Sequence, residues 1–165
     1  MTYYIFQTKV GIIIIFYIIA IIVVIADQLT KVLIRTYIDI DQAFTIWGIP
    51  LTHIENSGMA GGLFPGNARL FGLIAVLFVV GVLYFRKTGD MKGALIDSSF
   101  GFFVGGAIGN GIDRLLYGQV TDFIIRRNGV LNIADHAIEI GALLLIMYGI
   151  ISWFKKRALL TETES

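Results

Sequence analysis

Between Lys9 and Asp27 the chain runs through residues 10–26 without a single charged side chain, and that run limits the available folds more than any other feature. At about 1.5 Å of rise per residue it covers roughly 25 Å as a helix, so one further turn completes a hydrocarbon core of about 30 Å. A cleaved leader is the competing reading. The run is rich in bulky β-branched residues and has no small-x-small site before Asp27, so a retained span is expected. Three more apolar stretches follow, and the expected spans are about 10–27, 69–86, 93–112 and 133–154. Charged residues make up only 15% of the chain, against about 25% in soluble domains. The expectation is one integral membrane domain covering 1–165, an all-α bundle of four transmembrane helices.

Several chemistries are excluded early. With no cysteine there is no disulfide, thiolate nucleophile or cysteine metal site. A net charge of +1 lacks the concentrated basic excess of a nucleic-acid partner. His53 and His136 stand far apart, so no metal site is expected and His53 reads as an ordinary surface imidazole. The glycines of 105–111 lead into polar sequence rather than opening a helix after a strand, so they do not cradle a phosphate. No cofactor is implied.

Residues 36–66 are not a span, because Asp39, Asp41, His53, Glu55 and two prolines interrupt them. Ile38-Asp39-Ile40-Asp41 alternates with period two, and 44–51 is aromatic and β-branched. Short strands at the membrane surface are expected there, with Trp47 suited to the interface. Asn56-Ser57-Gly58, Gly61-Gly62 and Pro65-Gly66 read as turns leading to the next helix. The span at 93–112 carries Gly101, Gly105, Gly109 and then Asp113 at intervals of four, a smooth face for close helix approach. The fourth span stops at Lys155-Lys156-Arg157, and the tail 161–165 is expected to be disordered.

Four spans put both termini on one side. The 86–92 loop and the chain ends hold seven of the thirteen cations, a nearly even split that only mildly favours that side as cytoplasmic. Asp27, the strand region and the 113–135 connection then share the outer boundary. Acids at the end of a span are functional candidates, because an unpaired ionised group in hydrocarbon costs several kcal/mol. Asp27 and Lys31 sit at i and i+4 on one helical face; they read either as a boundary ion pair or as a brace near a site.

Between residues 105 and 135 the chain collects Asp113, Asp122, Asp135, Asn110 and Asn132. Two carboxyls brought together in a partly dehydrated place share a proton and titrate as a coupled pair. One then serves as base toward water and the other as acid toward a carbonyl oxygen and a leaving amine. No Ser/His/Asp set competes. Spacing does not settle which aspartates pair. Asn132-Ile133-Ala134-Asp135 has the form of a capping box, a structural role that stays open beside the chemical one. Arg114 reads as a neutraliser of Asp113, and Arg126-Arg127-Asn128-Gly129 as a loop tip whose arginines could meet lipid phosphates. A proton or ion carrier using Asp97, Asp113 and Glu139 is the reading from another class.

The blocks Asp27-Gln28-Leu29-Thr30-Lys31, Asn56-Ser57-Gly58, Gly109-Asn110-Gly111-Ile112-Asp113-Arg114, Gly118-Gln119-Val120-Thr121-Asp122-Phe123 and Leu131-Asn132-Ile133-Ala134-Asp135 resemble, in order and spacing, those of the bacterial signal peptidase II family. The resemblance implies an intramembrane aspartyl endopeptidase that removes signal peptides from diacylglyceryl-modified prolipoproteins, cutting before the lipidated cysteine. By position it implies that Asp122 and Asp135 are the catalytic dyad, and that Asp27, Lys31, Asn56, Gly58, Asn110, Asp113, Arg114, Asn132 and Ala134 line or brace the site. It adds a small extracytoplasmic β-rich cradle, matching about 36–66. It further implies prolipoprotein signal peptides and membrane lipid as partners, a monomer, cytoplasmic termini and a site near the outer leaflet of the bacterial cytoplasmic membrane. Two departures stand out: Met59 and Gly61 replace the family's usual small and aromatic residues, and Leu131 replaces a common Phe. Both bear on substrate preference. Glu139 belongs to none of these blocks; it reads either as raising the Asp135 carboxyl by like charge or as bonding a neighbouring helix, and the helix bond is expected. A family member that binds lipopeptides without cutting them is a further alternative.

Overall fold

In a computed structural model, which describes residues 2–89 and 93–163, the 23-residue helix α3 (Ala94–Leu116) lies against three other helices: α1 (Thr2–Tyr37), α2 (Ala68–Thr88) and α4 (Ile133–Thr163). Its composition explains that position. Along one face of α3, a carbon added at Gly105 would come 2.7 Å from Val23 Cβ of α1, and Phe16 and Ile19 crowd Gly101 in the same way. On another face Gly106 meets Ala134 and Ile138 of α4. Small residues therefore let two helices approach the same backbone.

Among the described residues, three helices are long and apolar enough to cross a membrane: α1 over Ile14–Tyr37, α2, and α4 over Ile133–Ala158. The expected fourth span, α3, does not meet that measure. It is long enough, but it faces protein where the others would face lipid, and so it carries Asp97, Asn110 and Asp113 buried. Large exposed apolar side chains lie instead along the outer helices, for instance Ile22, Leu77, Val80 and Leu143.

Four strands form one antiparallel sheet in the order β1 (Phe44–Ile46), β2 (Ile49–Asn56), β3 (Val120–Arg126), β4 (Gly129–Leu131). Trp47 and Gly48, both with positive φ (50° and 82°), make the two-residue turn between β1 and β2, as the twist of a tight hairpin requires. The sheet's centre joins segments far apart in sequence, with Ile54 opposite Asp122 and Asn56 opposite Val120.

Several expectations are corrected. The alternating Ile38–Asp41 segment is not a strand: α1 continues through Tyr37, and Gln42 N donates to Asp39 O in a turn that leaves Asp41 at φ 63°. The cradle extends beyond 36–66, because half of it comes from β3 and β4. The tail is helical as far as Thr163. Of the 86–92 loop, residues 90–92 lie outside the described residues, as do 164 and 165 of the tail.

Candidate active site

The site starts from a lysine inside α1. Lys31, Asp27 and Asp113 are each 0% exposed. Lys31 Nζ lies 2.8 Å from Asp27 Oδ2 and 2.9 Å from Asp113 Oδ2, and it donates to Asn110 Oδ1 at 2.8 Å. Two carboxylates at ion-pair distance and one hydrogen-bonded amide oxygen thus surround it, the condition under which an ammonium can stay buried. Asp27 and Lys31 are not a helix-end pair, since α1 runs on to Tyr37. Gly109 makes room for them: a Cβ there would stand 2.6 Å from Asp27 Oδ2. Gln28 Nε2 adds bonds to Gly109 O (3.0 Å) and Asp113 Oδ1 (3.2 Å).

From this cluster two arms reach the first turn of α4. Asp27 Oδ1 accepts from Ala134 N at 2.9 Å, satisfying one of the amides that a helix start leaves without an internal partner. Asn110 Nδ2 donates to Asp135 Oδ1 at 2.8 Å. Asn132 caps the helix as its spacing predicts: its Oδ1 accepts from Asp135 N at 3.0 Å, and its own N donates to Asp135 Oδ2 at 3.3 Å. That reciprocal box fixes the Asp135 side chain over the helix N-terminus, where a negative charge is favoured.

The sheet delivers the second acid. Along β3 successive side chains point to opposite faces, so Thr121 turns toward Arg35 and Glu55 while Asp122 turns toward the asparagines. Asp122 Oδ1 accepts from Asn132 Nδ2 at 2.6 Å and Oδ2 from Asn56 Nδ2 at 3.0 Å. Asn56 is held in turn by Gly58 N, which donates to its Oδ1 at 2.9 Å. Only glycine fits at 58, where a Cβ would lie 2.3 Å from Leu63 O. Asn132 therefore bonds both aspartate residues. Burial pushes the Asp122 carboxyl up to about 6, and the neighbouring Asp135 charge adds to the rise, against the pull of the Asn56 and Asn132 bonds and the Lys31 charge.

Two cavities flank the acids. One of about 380 Å³ lies between α2, α3 and α4, with Phe71, Phe78 and Phe103 among its walls and Asn110, Arg114 and Asp135 at its polar end. The other, about 450 Å³, lies on the sheet side, where Asp122, Asn56 and Val130 line it. Arg114 is not the neutraliser of Asp113, which Lys31 and Arg35 serve. Arg114 Nη2 instead donates to Gly58 O at 3.4 Å, and its buried Nε has no hydrogen-bond partner among the described residues.

All eleven residues expected at the site fall within this one constellation. Of the acids in the carrier reading, Asp113 lies within the constellation while Asp97 and Glu139 lie outside it, and the three form no connected path. Asp97 pairs with Arg86 near the start of α3, Asp113 is neutralised by Lys31, and Glu139 pairs with Arg126. Sequence reasoning missed a second polar chain behind β3. His53 is 5% exposed and not at the surface; its Nδ1 lies 2.7 Å from Ile38 O and its Nε2 2.9 Å from Glu55 Oε1, which also accepts from Thr121 Oγ1. Arg35 continues the chain to Asp113. The only signal was indirect: His53 and Glu55 share one face of a strand by their spacing of two.

Residues 19–151 match the sequence model described as Signal peptidase (SPase) II. The chain belongs to the signal peptidase II family. Among its relatives, a lipoprotein signal peptidase of Halothermothrix orenii is 37% identical over 136 residues, covering 80% of this chain and 92% of that protein. One of Bacillus subtilis is 32% identical over 149 residues, covering 86% and 97%. A solved bacterial membrane enzyme superposes with a TM-score of 0.78 at 32% identity, covering 84% of this chain and 89% of that one. The chain is thus a member of an aspartic peptidase family built as a membrane enzyme.

Proposed function

We propose that the chain removes the signal peptide from diacylglyceryl-modified prolipoproteins, cutting before the lipidated cysteine, with Asp122 and Asp135 as its catalytic pair. The observation that carries the reading is Asn132, which bonds both residues, Asp135 at the polar end of the apolar cavity and Asp122 on the sheet-side cavity. A signal peptide is itself an apolar helix, and it enters that cavity laterally from the bilayer. Asn110, Arg114, Asn56 and Gly58 then face the scissile segment, while Asp27, Lys31, Asp113, Asn132 and Ala134 hold the frame.

The chemistry needs one water between the carboxyls. One carboxylate takes a proton from that water as its oxygen attacks the peptide carbonyl carbon. The other, protonated, gives its proton to the carbonyl oxygen. Collapse of the tetrahedral species breaks the C–N bond, and the amine leaves with a proton returned by the pair. The lipidated cysteine becomes the new N-terminus. Water must reach the pair, and a position at the membrane boundary supplies it where the bilayer midplane would not.

In this reading α3 is the fourth span, shielded from lipid by the other three. Both termini face the cytoplasm, and the sheet and acids lie at the outer leaflet of the cytoplasmic membrane. The enzyme acts as a monomer and a single membrane domain of 1–165. Asp122→Asn and Asp135→Asn are nearly isosteric, so each variant is expected to insert and fold while prolipoprotein processing falls by about 10²- to 10⁴-fold or more. Near-normal cleavage by either variant, measured with a lipidated substrate in detergent or vesicles, overturns the assignment.

A further inference from the structure

Of the three asparagines at the acids, Asn110 and Asn132 each have their amide orientation fixed by a group that can only donate. For Asn132 that group is the peptide N–H of Asp135, which must face Oδ1. For Asn110 it is the Lys31 ammonium, 2.8 Å from Oδ1, with Asn132 Nδ2 at 3.1 Å on the same oxygen. Turning the Asn110 amide over would set its NH2 against an ammonium and a second NH2, and its oxygen against the Asp135 carboxylate. Lys31 thus holds Asn110 Nδ2 on Asp135 Oδ1 at 2.8 Å.

We propose that Lys31, acting through Asn110, is the positioning residue that assigns the roles of the pair, keeping Asp135 as the base and leaving the shared proton to Asp122. This rests on the peptidase reading above. Asp135 receives the Asn110 amide, the Asn132 peptide N–H and the open end of α4, all of which favour a carboxylate. Asp122 is buried on a strand and receives only side-chain amides. The rise of its carboxyl toward 6 agrees with its holding the proton.

The surrounding charges do not make the same distinction. Arg114 on α3 feels Asp135 first, then Asp122 and Asp113, so its charge is spread over all three, and its side chain makes no hydrogen bond to either acid of the pair. Asp27 on α1 and Asp113 on α3 are balanced against Lys31 and Arg35. Glu55 on β2 is taken up by His53 and Thr121, Glu139 on α4 by Arg126 of β3, and His136 by Asn132 O. Lys31, whose charge also reaches Asp122, is the cation that holds the amide donating directly to Asp135.

The test is the pH profile of prolipoprotein cleavage. Lys31→Met alone strands the buried Asp27 carboxylate, so the informative variant is Lys31→Met/Asp27→Asn, which removes that pair together, leaves Asp113 with Arg35 and keeps an oxygen for Ala134 N. The second variant is Asn110→Asp, isosteric and already facing Lys31, which deprives Asp135 of its donor. In both, the bell-shaped profile is expected to move to higher pH by about one unit or more, with the rate at its own optimum reduced. A purely structural lysine would lower the amount of folded enzyme and leave the profile in place. An unmoved profile in either folded variant overturns the role assignment while the peptidase reading stands. Failure of the Asp122→Asn and Asp135→Asn test would remove both.

Discussion

Two pairs of acids meet at the end of α3, and the protein treats them in opposite ways. Asp27 and Asp113 have the Lys31 ammonium between them, within 3 Å of each. Asp122 and Asp135 have no cation in contact among the described residues; their partners are amide N–H groups alone. The first pair is bridged by one buried cation and fixed. The second is solvated well enough by dipoles to exist and poorly enough to keep a proton in play. The difference teaches where each pair belongs: balanced charge holds helices in register, and unbalanced charge beside a cavity is available to react.

The sharpest way to break this contrast is to unbalance the first pair. Lys31→Met leaves Asp27 buried without its cation and Asp113 with Arg35 alone at 3.5 Å, which is expected to cost about 3–5 kcal/mol. Thermal unfolding in detergent should show a large loss, in practice a variant that hardly accumulates folded. A modest change there would mean that the α1–α3 cluster is wetter or looser than its 0% exposure implies.

The reverse is expected of the second pair, where removing charge should help the fold. Asp122 has its carboxyl raised from 3.8 to about 6, so the folded state favours the proton. That contribution is full below about pH 4, where the unfolded chain is protonated too, and it is lost as pH rises through about 6. Comparing Asp122→Asn with the parent cancels what the amide's own bonding costs, because that part does not vary with pH. From pH 4 to pH 8 the stability difference should move in the variant's favour by up to about 3 kcal/mol. A difference that is flat with pH would place Asp122 in an ordinary solvated environment.

Backbone space sets the next scale. Gly109 has no room for a methyl group, with Asp27 Oδ2 2.6 Å from where Cβ would stand, whereas Gly111 has its nearest neighbour at 3.5 Å. Gly109→Ala should therefore destabilise by about 1–3 kcal/mol, and Gly111→Ala should not. Equal effects from the two would show that helix approach, not the buried acid, sets the requirement.

The same contrast explains how much was legible beforehand. The helices followed from apolar runs, and the capping box from the spacing of Asn132 and Asp135, because both are local rules. Two things stayed hidden for one reason. Thr121 and Asp122 read as a connection between spans, since nothing within 118–131 announces that β3 will pair with a strand some 65 residues earlier, Ile54 opposite Asp122. His53 read as solvent-facing, because its burial depends on Arg35, Thr121 and the end of α1 arriving from elsewhere. Even the Asn128-Gly129 hairpin signal told of a turn without telling which strand lay on the other side. As for α3, its charge and glycine content lowered its hydropathy for the very reason that made it central.

The smallest effect belongs to the one acid that stands outside both pairs. Glu139 lies one turn beyond Asp135, yet its carboxylate is turned to Arg126, with Nη1 at 3.0 and 2.8 Å from its two oxygens. Both side chains are about half exposed, at 48% and 49%, so water and salt screen the pair. The β3–β4 hairpin is already held by its own backbone pairing of Arg126 with Gly129. A double-mutant cycle on Arg126→Ala and Glu139→Ala should return no more than about 1 kcal/mol, falling further in high salt, with prolipoprotein cleavage unchanged. A coupling above 2 kcal/mol, or a cleavage defect in Glu139→Ala alone, would enlarge the reactive group from two acids to three and undo the division between balanced and unbalanced charge.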